Sequence, residues 1–425
     1  MTRENDNRTF LGPRPDKNLP AGIDLHLHLD GSMPLRLIRE LAEKEGRIPA
    51  GKQVEDLVRV GKDCRSLKEF LSCFTLMEQL LGKKESLERC ACELVETLAG
   101  QGLSYAEIRF SPFLFVSETM NEEEAVEAVI SGVKQGCSRS GMPAGVILCA
   151  LVQGSDEQNR KALELTKQYF RKGIDGFDLA GPEGLVPMEH FRPLFAEVSR
   201  CGIPFTIHAG ECGDPENVRT AVSFGAKRIG HGTAAARSKE IMDLLRREDV
   251  TLEVCVTSNV QTCAVPDIAS HPVRRFFDEG IKVTYNTDDM TVSGITLQSE
   301  AQLLTEKFGF TADELAQMQQ NAAMASFAPE TLKKSWPRSC RHSTGSNKQI
   351  RVRAFAVEKS KEVVALLLLK LRRPLFCCEI RHFSINYVHK ACKATLRLPF
   401  FWGIKRDHVR KSRHKSSGLL LRLLF

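Results

Sequence analysis

No run in this chain of 425 residues is apolar and long enough to cross a bilayer. Within the C-terminal stretch the longest apolar run, Val363 to Leu369, falls far short of the roughly 20 residues a membrane helix needs. The first ten residues, Met1 to Phe10, are polar and lack the apolar centre of a secretory signal. The 14 cysteines follow no regular spacing, so they do not read as a disulfide framework. No Gly-x-Gly-x-x-Gly follows the first strand pattern, which argues against a doubly wound dinucleotide fold. These absences lead us to expect a protein of the reducing cytoplasm, with no membrane partner.

What is present is ordinary in bulk and uneven in distribution. Hydrophobic residues make up 42% and charged residues 27%, the balance of a soluble globular domain. The net charge of +7 averages two unlike regions. Residues 331–425 carry 23 Lys and Arg against 4 Asp and Glu, a net of +19; residues 1–330 carry 37 against 49, a net of −12. The organisation we expect is a polar segment over 1–19, a folded body over 20–332 and a basic tail over 333–425. Two accounts of the tail stand. It is a basic arm for nucleic acid or a membrane surface, or it is a frameshifted or wrongly joined stretch foreign to the enzyme. The change in charge falls midway through what reads as the final helices, and this favours the second.

Within the body, short apolar strands alternate with amphipathic helices. Strands are expected at Gly22–Leu29, Tyr105–Phe110, Gly145–Val152, Gly176–Ala180, Pro204–His208, Arg228–Gly232, Thr251–Val256 and Lys282–Asn286. Helical spacing fills the gaps, as in Glu122–Lys134, Asp156–Arg171, Glu189–Arg200, Ser238–Arg247 and Thr311–Ala325. Eight such units predict an α/β fold, a (β/α)8 TIM barrel, with a helical insertion between strands 1 and 2. The insertion contains Ser66 to Leu81, whose spacing predicts a helix. It packs on the barrel flank or lies as an apolar lid over the mouth.

The chemistry gathers at strand ends. His26-Leu27-His28 closes the first strand, so both imidazoles share a face. His208 ends the fifth strand, His231 the sixth, and Asp288 follows the eighth. Four of the body's six histidines sit at such positions. A catalytic zinc takes three or so His and carboxylate ligands and keeps a place for water. His26, His28, His208 and Asp288 form a plausible set. The fourth strand ends Asp178-Leu179-Ala180-Gly181, without the lysine that a two-metal site of this barrel type often uses, so one metal is expected. Zinc lowers the pKa of its water to near 7. His231 is placed to accept that water's proton or to orient the hydroxide. Glu211, three residues past His208, suits proton transfer to a ring nitrogen. Asp289 either caps a helix or binds a polar substrate edge. Gly181 lets a backbone amide approach a flat ligand.

His-Leu-His-Leu-Asp-Gly, His-Ala-Gly-Glu, Ile-Gly-His-Gly and Asn-Thr-Asp-Asp occur in that order, and with them the body resembles the adenosine deaminase family of the amidohydrolase superfamily. The resemblance extends to Asp178–Gly181, Leu252–Cys255 and Asn321–Phe327. It implies one Zn²⁺ on His26, His28, His208 and Asp288. Glu211 would protonate N1 of the purine, Asp289 would bond N7, Gly181 would meet N3, and His231 would act on the attacking hydroxide. The product would be inosine plus ammonia from adenosine, the metal-activated-water logic of base deaminases on another scaffold. The Pro-Cys-x-x-Cys of the cytidine deaminase type is absent. Asp30 occupies the place associated with the ribose, which favours a purine nucleoside over the free base. The stretch 66–81 resembles the family's mobile gate. The last helix expected of the family is where the chain departs from the pattern, after Pro329-Glu330.

Overall fold

The computed structural model describes residues 22–61, 64 and 67–336. The polar N-terminal segment and all but Lys333 to Trp336 of the basic tail lie outside them, and with them any nucleic-acid role of that tail. Among the described residues, eight parallel strands form two four-stranded sheets. The first runs β1 (Gly22–His28), β2 (Leu103–Phe110), β3 (Ala144–Leu151), β4 (Gly176–Ala180); the second runs β5 (Thr206–Ala209), β6 (Arg228–His231), β7 (Thr251–Val254), β8 (Lys282–Tyr285). Each strand pairs with the next in sequence. Both seams between the sheets carry parallel bridges, Phe177 with Phe205 and Leu27 with Asp288. At the second seam His28 N–H donates to the Asp288 carbonyl and Asp288 N–H to that of His26, each at 2.8 Å. The metal-site candidates of β1 and β8 are thus stitched together by backbone.

These strands read as short apolar runs because helices cover them and both faces are buried. Local chemistry fixes the helices. α6 (Glu122–Ser140) starts in a capping box, Asn121 with Glu124, and ends at Gly141 in the left-handed conformation, φ 76°. α7 (Asp156–Tyr169) and α15 (Ala312–Ala325) open on the same device, Ser155 with Gln158 and Thr311 with Glu314. Between β1 and β2 lie five helices: α1 (Leu35–Lys44), α2 (Glu55–Val58), α3 (Leu67–Ser72), α4 (Thr75–Leu80) and α5 (Lys84–Gly100). The single helix expected over 66–81 is therefore two. The chain turns at Cys73-Phe74, where Cys73 N–H bonds the Phe70 carbonyl and Phe74 N–H that of Leu71, the tighter i to i+3 pattern.

The strand interiors hold charges as well as hydrocarbons. Glu107, Arg109, Asp178, Arg228 and Glu253 are buried. Arg109 donates to Asp178 at 2.7 Å and to Glu253 at 2.8 Å. Arg228 donates to Glu107 and to Glu253, both at 2.5 Å. Glu107 also accepts from Tyr105 and Phe327 N–H, and the Arg228 guanidinium lies 4.0 Å over the Phe327 ring. The chain after α15 is thereby tied into the strands that carry the site.

Candidate active site and metal centre

The strand ends bring the expected donors together. Ligand atoms of His26, His208, His231 and Asp288 all lie within 4.8 Å of one another. His28 joins them, its Nε2 3.2 Å from His208 Nε2 and 3.4 Å from Asp288 Oδ1. Five donors therefore converge where four were expected, and His231 belongs to the tightest group. Two of them rest on strained backbone. His231 and Asp288 adopt φ of 63° and 61°, the left-handed region non-glycine residues rarely occupy and which clusters at functional sites. Gly230 is required beneath them, since a Cβ there would stand 2.8 Å from His26 Cε1.

Second partners decide which ring nitrogens can bind a cation. His26 Nδ1 faces Glu253 Oε2 at 2.8 Å, and His208 Nδ1 faces Asp178 Oδ2 at 3.1 Å. A carboxylate accepts the proton of Nδ1–H, so Nε2 of each ring keeps a bare lone pair turned inward. His26 Nε2 is buried without a hydrogen-bond partner. Arg228, Arg109 and His26 hold the Glu253 carboxyl well below the usual range against its burial, and His208 and Arg109 do the same for Asp178. Ser258 donates to Asp288 Oδ2 at 2.7 Å, and His26 Nε2 stands 3.3 Å from its Oδ1. Arg109 and Arg228 pair with the carboxylates of Glu107, Asp178 and Glu253. The orphaned imidazole nitrogen of His26 and the imidazole and carboxylate donors around it fit one divalent cation.

The other expected residues line this centre. Burial first, then the Asp288 charge, pushes Glu211 up to about 8, although the Thr262 hydroxyl donates to it at 3.0 Å. It therefore holds a proton at neutral pH. Its Oε2 lies 3.6 Å from His231 Nε2. Glu183 accepts from the N–H groups of Gly210 and Cys212 on either side of it. Asp289 precedes the short helix α13 (Met290–Ser293) but makes no capping bond. Ser32 Oγ takes the Met290 N–H instead, at 3.0 Å. Asp289 Oδ1 is buried and unpartnered, and burial with the nearby Asp288 charge raises its pKa well above the usual range. Asp30 is buried, its pKa raised to about 6 chiefly by burial; Glu78 of α4 adds to the rise. Gly181 has φ 103°, and a Cβ there would meet Gln153 Oε1 at 2.2 Å. Sequence reasoning missed Glu253, Arg109, Arg228, Ser258, Thr262, Glu183, Asn259 and His271. For the first three the signal was a charge inside an apolar strand.

Parallel sheets with imidazoles and carboxylates at the strand ends define a hydrolase of the amidohydrolase kind. A family model described as adenosine deaminase matches residues 22–337. The chain is 40% identical over 321 residues to the adenosine deaminase of Haemophilus ducreyi, spanning 74% of this chain and 93% of that one. The chain belongs to the adenosine deaminase family. Its fold is similar to that of an adenine deaminase from Arthrobacter aurescens, with a TM-score of 0.67 and 26% identity over 74% of this chain and 96% of that one. It is also similar to an amidohydrolase from Burkhoderia ambifaria with bound Zn, TM-score 0.68 and 24% identity over 75% and 88%, a likeness of fold alone.

Proposed function

We propose that this protein hydrolyses adenosine to inosine, and deoxyadenosine to deoxyinosine, with release of ammonia at one zinc site. The ligands are His26, His28, His208 and Asp288. Zinc bound there supplies a water whose pKa falls to near 7. The chain's own residues do the rest. Glu211, protonated at neutral pH, gives its proton to N1 of the purine and makes C6 electrophilic. His231, with Nε2 toward Glu211, acts on the attacking oxygen. Asp289, protonated and uncommitted to its helix, donates to N7. The Gly181 amide approaches N3, and Asp30 meets the ribose. Helices α3 and α4 form the gate, with Glu78 of α4 close enough to raise the Asp30 pKa.

The observation that carries this proposal is the place of Glu211: its Oε2 stands 3.6 Å from His231 Nε2 at the edge of the cation site, where burial and the Asp288 charge push the carboxyl up to about 8. It suits protonation of a ring nitrogen rather than attack on a carbonyl. We further propose a closed (β/α)8 barrel over 20–332, with both seams bridged, and a cytoplasmic setting. Among the described residues no helix is long and apolar enough to cross a membrane. The test is loss of adenosine absorbance with release of ammonia, abolished by a chelator and restored by zinc. Turnover of adenine but not adenosine would overturn the nucleoside assignment and keep the chemistry; restoration by another divalent ion and not by zinc would overturn the metal.

A further inference from the structure

His231 heads a chain of buried hydrogen bonds that leads away from the reaction. Its Nδ1 lies 3.0 Å from Asn259 Nδ2, on α11 (Val256–Gln261). Asn259 Oδ1 lies 3.2 Å from His271 Nε2. His271 Nδ1 in turn receives the backbone N–H of Val273, at 3.1 Å, where α12 (Val273–Asp278) begins. His231, Asn259 and His271 are all buried.

The last link gives the chain its direction. A backbone N–H only donates. His271 Nδ1 must therefore be bare, and the ring's single proton sits on Nε2. Burial pushes the His271 pKa down to about 3, so the ring is neutral. Nε2–H donates to the Asn259 carbonyl oxygen, and this turns the amide NH₂ toward His231. His231 Nδ1 must then accept. A neutral imidazole with a bare Nδ1 carries its proton on Nε2, the nitrogen that faces Glu211 at 3.6 Å. Reversing the amide would set His271 Nδ1–H against Val273 N–H, two donors face to face in a dry place.

We infer that Asn259 and His271 are positioning residues that lock His231 in the Nε2–H form, so that His231 meets the attacking oxygen as a hydrogen-bond donor and not as a base. The inference rests on the deaminase proposal for the identity of that oxygen. It also divides the five converging donors. His26 and His208 have carboxylates on Nδ1 and present bare Nε2 atoms. His231 has an amide donor on Nδ1 and no lone pair to offer at Nε2. The fourth ligand is then His28.

The experiment is ¹⁵N NMR of the full chain labelled at histidine, metal-free and zinc-loaded, because bare and protonated ring nitrogens differ widely in shift. The wild type should show His231 with a bare Nδ1 and a protonated Nε2 in both states. Asn259→Asp places an acceptor on Nδ1 and should invert the tautomer. An inverted tautomer costs on the order of 10⁴ in kcat in a serine protease triad, and a fall of roughly 10² to 10⁴ is expected here, with the adenosine KM little changed. His231 with a protonated Nδ1 in the wild type overturns the inference, and this readout needs no variant to fold. So does an Asn259→Asp protein whose tautomer and kcat match the wild type. A wild type with the Nε2–H form but no adenosine turnover would defeat the deaminase proposal and leave the locking chain intact.

Discussion

Replacing Glu211 by Gln should abolish turnover and raise stability together. The carboxyl has an ordinary pKa of 4.5 and a folded-state value of about 8. Below 4.5 folded and unfolded chains both hold the proton, and the group is neutral to folding. Between 4.5 and about 8 the unfolded chain releases the proton while the folded chain keeps it. Stability then falls by about 1.4 kcal/mol per pH unit. At pH 7 the accumulated loss is on the order of 3 kcal/mol. Gln has no proton to lose, and its Oε1 still accepts from the Thr262 hydroxyl. The metal-free variant should therefore be more stable than metal-free wild type by roughly 3 kcal/mol at pH 7 and no more stable near pH 4.5. Urea unfolding of both proteins across that pH range measures it. Turnover should drop by roughly 10² to 10⁴ with the metal retained. Parallel stability curves would refute the raised pKa. Unchanged turnover in the variant would remove Glu211 as the proton donor.

Other substitutions separate folding from chemistry. Asp289→Ala removes a carboxyl that caps nothing, so it should not incur the ~1 kcal/mol that losing a capping Asp costs; kcat/KM for adenosine should still fall about 10- to 100-fold, read by steady-state kinetics. Arg228→Met strips buried Glu107 of its arginine and leaves Glu253 with Arg109 alone and should destabilise by about 3–5 kcal/mol in denaturant unfolding. Gly230→Ala pushes a methyl into His26 and should weaken metal binding about 10- to 100-fold in a competition titration.

The strands were legible because of how they are covered. A parallel strand buried on both faces, under helices on one, must be a short and mostly apolar run, and each expected strand overlaps an observed one. The insertion was harder. Apolar spacing from Ser66 to Leu81 is continuous, and periodicity does not say where a helix axis turns. The turn at Cys73-Phe74 is set by backbone bonds that a spacing pattern does not record. The charges in the strands were visible as letters but not as partners. Glu253 meets Arg109 across 144 positions and His26 across 227. The left-handed backbone at His231 and Asp288 was equally invisible, since neither residue type demands it.

The histidines show most clearly what a sequence withholds. Their placement at strand ends marks a metal site, yet five candidate donors cannot be ranked by position alone. Chemistry ranks them through the atom each ring presents to its neighbour. Glu253 and Asp178 draw the proton of His26 and His208 to Nδ1 and free Nε2. Asn259 sends a proton the other way at His231, on the authority of one backbone N–H at Val273. His271 lies away from the strand ends, yet it transmits that choice. The same side chain can thus serve as ligand or as donor within one pocket, and the difference lies in partners 28 to 227 positions away.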